Sequence, residues 1–326
     1  MRPATSVILL TTLIGAGQGL FLALVTVQSH ALVGLLPAVE GHTLYAQGGA
    51  IALLLLAAGL VASFFHLGRP ERAWRSAAQW RTSWLSREVI VLPAFMAAVA
   101  MYAGMHALGW TPALVTLPQG PVIDLSIVIG VAGTVLAFAL FFCTAMVYAC
   151  LRFLAEWHTP LTPLNYTLLG GASGFLLAAA LATLAAPSLV GFLSGWAIVL
   201  TALAAVGRLA SLWRNARLKP RSTIQSAIGI KHPTMVQRSM GFMGGSFNTR
   251  EFFHGVAASR LRLVKHVFVG LAFVVPIVLL IAGRDAASVP LLLGAFVVQY
   301  VGLLAERWFF FAQANHPQNL YYQAVA

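Results

Sequence analysis

Apolar runs long enough to cross a bilayer recur eight times along this chain, a pattern that no soluble fold accommodates. A helix rises about 1.5 Å per residue, so the roughly 30 Å hydrocarbon core requires about 20 predominantly apolar residues. Windows of that length place spans near residues 7–27, 46–66, 88–109, 122–145, 165–185, 189–207, 266–283 and 289–311. The fold class read from them is all-α: a polytopic membrane protein of eight transmembrane helices, with residues 1–326 as a single membrane domain. Only 9% of residues are charged, too few to solvate the surface of a soluble domain this size. The first run follows a basic region of Arg2 alone and is longer than a signal-peptide core, so it counts as a span. Pro93 and Pro276 fall inside spans, where neighbouring helices can satisfy the backbone groups a proline frees.

The charge is distributed unequally. The net charge is +12, and with eight spans 19 of the 20 lysines and arginines lie on the side of the termini, leaving Arg284 on the other. In a soluble protein such a balance would point to nucleic acid. Between apolar spans it is a topology signal, so no nucleic-acid partner is expected. The positive-inside rule then puts both termini in the cytoplasm and the chain in the inner (cytoplasmic) membrane. The basic cytoplasmic loop at residues 208–265 carries eleven of these cations. It can dock an acidic partner face or contact anionic lipid headgroups.

Residues 64–90, FFHLGRPERAWRSAAQWRTSWLSREVI, join the second span to the third. Gly68 and Pro70 stop the membrane helix and can start a short surface helix mixing arginines with interface-seeking tryptophans. His66 ends one span and Glu88 begins the next, which predicts two titratable groups at similar depth around one interfacial pocket. A quinone enters from lipid, and its redox cycle moves two protons with two electrons. Its carbonyls therefore need a hydrogen-bond donor and a proton acceptor, which histidine and a partly buried glutamate can provide. On this reading His66 is a quinone hydrogen-bond partner and Glu88 the proton-exchanging carboxylate, with Arg69, Arg72 and Arg87 as electrostatic support. A structural reading stands beside it: Glu88 follows Ser86, a candidate N-cap, and would favour the dipole of the first helical turn, while His66 bonds a loop carbonyl.

Other side chains point elsewhere. Cys143 and Cys150 lack the spacing of a metal or iron–sulfur site and read as packing residues. His106 and His266 fall at opposite faces, and the remaining histidines lie outside the spans, so no pair of axial ligands emerges and no heme is expected. A secondary transporter is the rival from another class. It would place charges near the bilayer midplane, whereas every acidic residue here reads as lying in a loop or near a span end. Gln18, within span one, is the main polar exception. Arg152-Phe153 with His158, and Arg307-Trp308 with His316, form a faint echo after spans four and eight.

The segments FHLGRPERAWR and SWLSREV resemble the DmsC family, membrane anchors of molybdopterin oxidoreductases of the dimethyl-sulfoxide-reductase type. TPLNYTLLGGASG at 162–174 and ERWFFFAQANHPQNLYY at 306–322 extend the resemblance over both halves of the chain. It implies an eight-helix anchor that binds menaquinone or ubiquinone, holds no heme, iron–sulfur cluster or molybdenum itself, and carries an iron–sulfur subunit and a molybdopterin catalytic subunit. In that family a histidine and a glutamate matching His66 and Glu88 are implicated in quinol binding. GFMGGSFNTREFFHG at 241–255 is most similar to the family's sulfite-oxidising branch, whose partners are cytoplasmic. That branch implies electrons flowing from sulfite into quinone with Glu88 supplying protons. An S- or N-oxide reductase would run the reverse.

Overall fold

The computed structural model describes residues 1–37, 41–116, 122–219, 223, 225–226, 229–235 and 254–317. It contains eight helices, or stacked helix pairs, long and apolar enough to span a membrane. They are α1 (Thr5–Leu32), α2 (Thr43–Phe64), α3 (Trp84–Ala107), α4 (Leu125–Ala149), α5 (Leu161–Ala185) and α6 (Val190–Asn215). The seventh span stacks α7 (Ala258–Val269), a π turn (Gly270–Val274) and α8 (Val275–Asp285), and α9 (Val289–Ala312) is the eighth. The outward faces carry half-exposed valine, leucine and phenylalanine, such as Leu54, Val131, Val135, Phe138 and Val278, the surface that acyl chains would cover.

The helices form two rings of four. α1 packs on α2, α2 on α3, α3 on α4 and α4 back on α1, and α5, α6, the seventh span and α9 repeat that circuit. The echo after spans four and eight does not follow this repetition, for Arg152 lies beyond the end of α4 whereas Arg307 is buried within α9. The rings meet where α1 crosses α5, and 72% of an apolar 18-residue stretch in each of these two helices is buried, against 33–44% for the others. Glycines permit the crossing: a Cβ added at Gly174 would stand 2.0 Å from the Gly19 carbonyl carbon and the Leu20 nitrogen. Backbones can approach this closely only where both helices present hydrogen instead of a side chain. The Met1 amine donates to the carbonyls of Ala314 (2.8 Å) and Ala312 (3.4 Å), which fixes the start of α1 beside the end of α9.

Two local features depart from the span windows. Residues 122–124 are the second strand of an exposed antiparallel hairpin (β1, Ala113–Thr116; β2, Val122–Asp124), so α4 begins later than the apolar window suggests. Asp124 ends that strand and caps α4, its Oδ1 accepting from the Ile127 N–H (2.9 Å) and the Ser126 hydroxyl (2.7 Å). In the seventh span, Pro276 has no N–H to offer the carbonyl of Ala272 four residues back. The side-chain amide of Gln299 on α9 donates to that carbonyl instead (3.2 Å), and also to the Thr201 hydroxyl (3.1 Å). The π turn and the proline are thus compensated from a neighbouring helix.

Candidate functional site

The loop after α2 forms as its punctuation predicts. α2 ends at Phe64, and Pro70–Gln79 forms a 3₁₀ helix with Pro70 in its first turn. Its arginines lie against its own tryptophans: Arg75 over Trp74 (5.5 Å), Arg81 over Trp80 (5.3 Å) and Arg87 over Trp84 (4.1 Å). Arg87 also donates to the carbonyls of Trp80 (2.9 Å) and Arg81 (2.7 Å), tying the loop to the start of α3. Arg72 lies 3.8 Å from Glu71, and Arg69 is exposed at the head of the 3₁₀ helix. His66 is exposed in the turn, where partial desolvation lowers its pKa below the ordinary 6.5.

Glu88 lies elsewhere. The helix cap is Ser83, whose hydroxyl accepts from the Ser86 N–H (3.3 Å), and not Ser86. With the cap three residues earlier, Glu88 is already in the second turn of α3 and faces the bundle interior, 9% exposed. Its Oε1 accepts from the Thr144 hydroxyl on α4 (2.7 Å). It lines an internal cavity of about 20 Å³ together with Thr11, Thr12 and Gln18 of α1, Tyr166 and Ser173 of α5, and Arg307 of α9. None of His66, Arg69, Arg72 or Arg87 lines that cavity. The loop residues therefore form a cationic and aromatic surface, while the carboxylate sits one layer deeper, and the expected single pocket is two sites.

Behind this cavity lies a charged cluster of which Glu306 and Arg307 fall within the eighth window, whereas Arg208 reads as the start of a loop. Arg208 of α6 and Glu306 of α9 are 2% and 1% exposed, with Arg208 Nε 2.6 Å from Glu306 Oε1. Arg307 Nε is 3.0 Å from Glu306 Oε2, and its guanidinium lies over the Tyr166 ring (3.9 Å). Asn165 of α5 donates to the Ser211 hydroxyl of α6 (2.8 Å). These groups surround a second cavity of about 10 Å³, which also reaches the half-buried Glu156 in the loop before α5. Two of the 19 cations assigned to the terminus side, Arg208 and Arg307, are thus buried counter-charges. Glu88 and Glu306 lie near span ends, as expected of the acidic residues, but both are helical and buried. Glu306-Arg307 inside an apolar run is the signal available in the sequence. Its partner Arg208 is 98 positions away, which no local pattern reveals.

On the opposite end of the bundle, His106 of α3 faces His42, with their Nδ1 atoms 3.0 Å apart. Cys143 is buried, but Cys150 at the end of α4 is exposed and packs little. Among the described residues no group of three or more histidine, cysteine or acidic side chains is placed to hold a metal ion. Arg250, Glu251 and the middle of the basic loop, including residues 236–253, lie outside the described residues, as does the end of the 306–322 segment.

Residues 2–322 match the family described as DMSO reductase anchor subunit (DmsC). The chain is also 56% identical, over the full length of both proteins, to a sulfite dehydrogenase subunit from Allochromatium vinosum.

Proposed function

The chain belongs to the DmsC family of DMSO reductase anchor subunits, and from that premise we propose that it is the quinone-reactive anchor of a three-subunit sulfite-oxidising molybdoenzyme. Partner subunits bearing molybdenum and iron–sulfur clusters supply the redox chemistry. Sulfite takes an oxygen from water and yields sulfate, two protons and two electrons, and a quinone takes up two electrons and two protons to become quinol. The sulfite direction is favoured by the full-length relative rather than by the site, which would serve an S- or N-oxide reductase with the flow reversed. Both termini and the basic loop face the cytoplasm in this reading, where the partners dock.

The observation that carries it is Glu88. An ionisable carboxyl buried within the bundle, with a single threonine hydroxyl bonded to it, is costly to bury and is typically kept for function. The cavity beside it has room for about one water and not for a quinone ring. The ring therefore docks outside, against the His66 turn and the aromatic rings of Trp84 and Phe142, which lie 5.4 Å apart. His66 bonds a ring oxygen, Arg69, Arg72 and Arg87 favour the charge that develops during reduction, and Glu88 passes protons outward from the bundle. The test is Glu88→Gln in the assembled complex in membranes. Quinone reduction is expected to fall about 100-fold, the range lost with a general acid or base. Unchanged turnover would remove Glu88 from the mechanism.

A further inference from the structure

Glu88 must regain every proton it gives up, yet its carboxyl is enclosed. We propose that the buried polar seam from Glu156 through the Arg208–Glu306–Arg307 cluster and Tyr166 to Glu88 holds a file of water that carries protons between Glu88 and the aqueous phase on the face bearing the termini. The inference rests on the proton-exchanging role of Glu88 proposed above.

Continuity is the first argument. The two cavities share Tyr166 and Arg307 in their walls, so these two side chains link the Glu156 end to the Glu88 end. Tyr166 stands at the junction, within electrostatic reach of Glu88, Glu306 and Arg307. The second argument is unmet hydrogen bonding. Asn165 Oδ1, Arg208 Nη2 and Arg307 Nη1 are fully buried along this seam and have no protein partner. Leaving such groups dry costs about 1–3 kcal/mol apiece, more for a charged one. Cavities of about 20 and 10 Å³ reach the size of about one water each, and with these polar partners hydration is the favourable state.

Charge decides how the file works. Arg208 and Arg307 against Glu306 leave one positive charge in excess, and an ionised Glu88 across the first cavity brings the sum to zero. A proton is therefore not stored among the arginines, and the file conducts without holding. Of the residues lining the two cavities, Glu156 alone lies outside the helices. Past Glu88 and toward the far face, Gln18 is committed to the Ala137 carbonyl (2.8 Å) and Ser173 to that of Gly170 (3.0 Å). Beyond them α1 and α5 bury Leu20, Phe21, Leu24 and Leu176, where a proton finds no carrier.

The experiment uses the complete complex in membranes, reduced with dithionite and mixed with a short-chain quinone, with reoxidation of the iron–sulfur signal followed in H₂O and D₂O. Tyr166→Phe removes only the junction hydroxyl, and Glu156→Gln changes the half-exposed mouth, where misfolding is not a concern. Both are expected to reoxidise about tenfold more slowly or worse, with an enlarged solvent isotope effect and unchanged affinity for a quinone-site inhibitor. Wild-type rate and isotope effect in either variant would overturn the route. Glu88→Gln separates the two claims: slow Glu88→Gln beside fast Tyr166→Phe defeats the route alone, whereas wild-type behaviour of Glu88→Gln defeats the reading it rests on.

Discussion

The crossing of α1 and α5 is the contact on which both rings depend, and Gly174→Ala tests it. The new methyl would lie 2.0 Å from backbone atoms of Gly19 and Leu20, where ordinary contact begins near 3.4 Å. Backbone cannot rotate aside as a side chain can, so the helices must part by more than an ångström. Overpacking of this kind costs about 1–3 kcal/mol, and a gap of that size forfeits about half the dispersion energy along the seam. Alanine returns only about 0.5–1 kcal/mol of helix preference. A net loss of about 2–4 kcal/mol is expected, worth roughly 5 °C or more in the unfolding midpoint of the detergent-solubilised subunit. Gly171→Ala is the matched control, because its methyl would meet only Leu200 Cδ1, at 3.5 Å. It should melt at or slightly above the parent. If Gly174→Ala melts together with Gly171→Ala, the close approach is wrong. Since α1 carries Thr11, Thr12 and Gln18 and α5 carries Tyr166 and Ser173, parting them should also slow quinone reduction.

Two further expectations concern charge. Arg208→Met strips Glu306 of one counter-ion in a site without bulk water and should destabilise by about 3–5 kcal/mol. Glu306→Gln leaves both arginines without their counter-ion and should cost at least as much, and denaturation curves showing the two losses to be additive in the double variant would refute the pairing. For His66, desolvation disfavours the imidazolium, so the folded protein binds a proton there less readily than the unfolded chain. Its contribution is thus lost as pH falls below the ordinary 6.5, and carbethoxylation of His66 should show a midpoint under that value. A midpoint at or above 6.5 would contradict the partial burial.

The spans are legible because bilayer thickness writes itself into run length, and each window lies within a few residues of a helix. The departures have causes. The sixth window stops at Gly207 because Arg208 resembles a loop residue, yet α6 continues to Asn215, since Glu306 supplies the buried counter-charge. The first window stops at Val27, but Ser29 and His30 bond back to the carbonyls of Val25 and Thr26 and extend the helix to Leu32. The motif around Glu88 reveals the residue, and one wrong cap misplaces its depth. Only part of the Arg208–Glu306–Arg307 cluster shows, because Arg208 at a helix end resembles topology signalling until a tertiary partner is visible.

The Glu156 end of the polar seam bears on energy conservation. Each elementary charge moved against a membrane potential of 100 mV costs about 2.3 kcal/mol, so the side from which protons come sets whether turnover is electrogenic. If, as proposed, protons enter on the face that carries the termini and electrons arrive there from the partners, neither particle crosses the membrane voltage. Quinone reduction would then be electroneutral. Such a complex feeds the quinone pool at a rate insensitive to how strongly the membrane is energised, and leaves charge separation to whichever enzyme reoxidises the quinol.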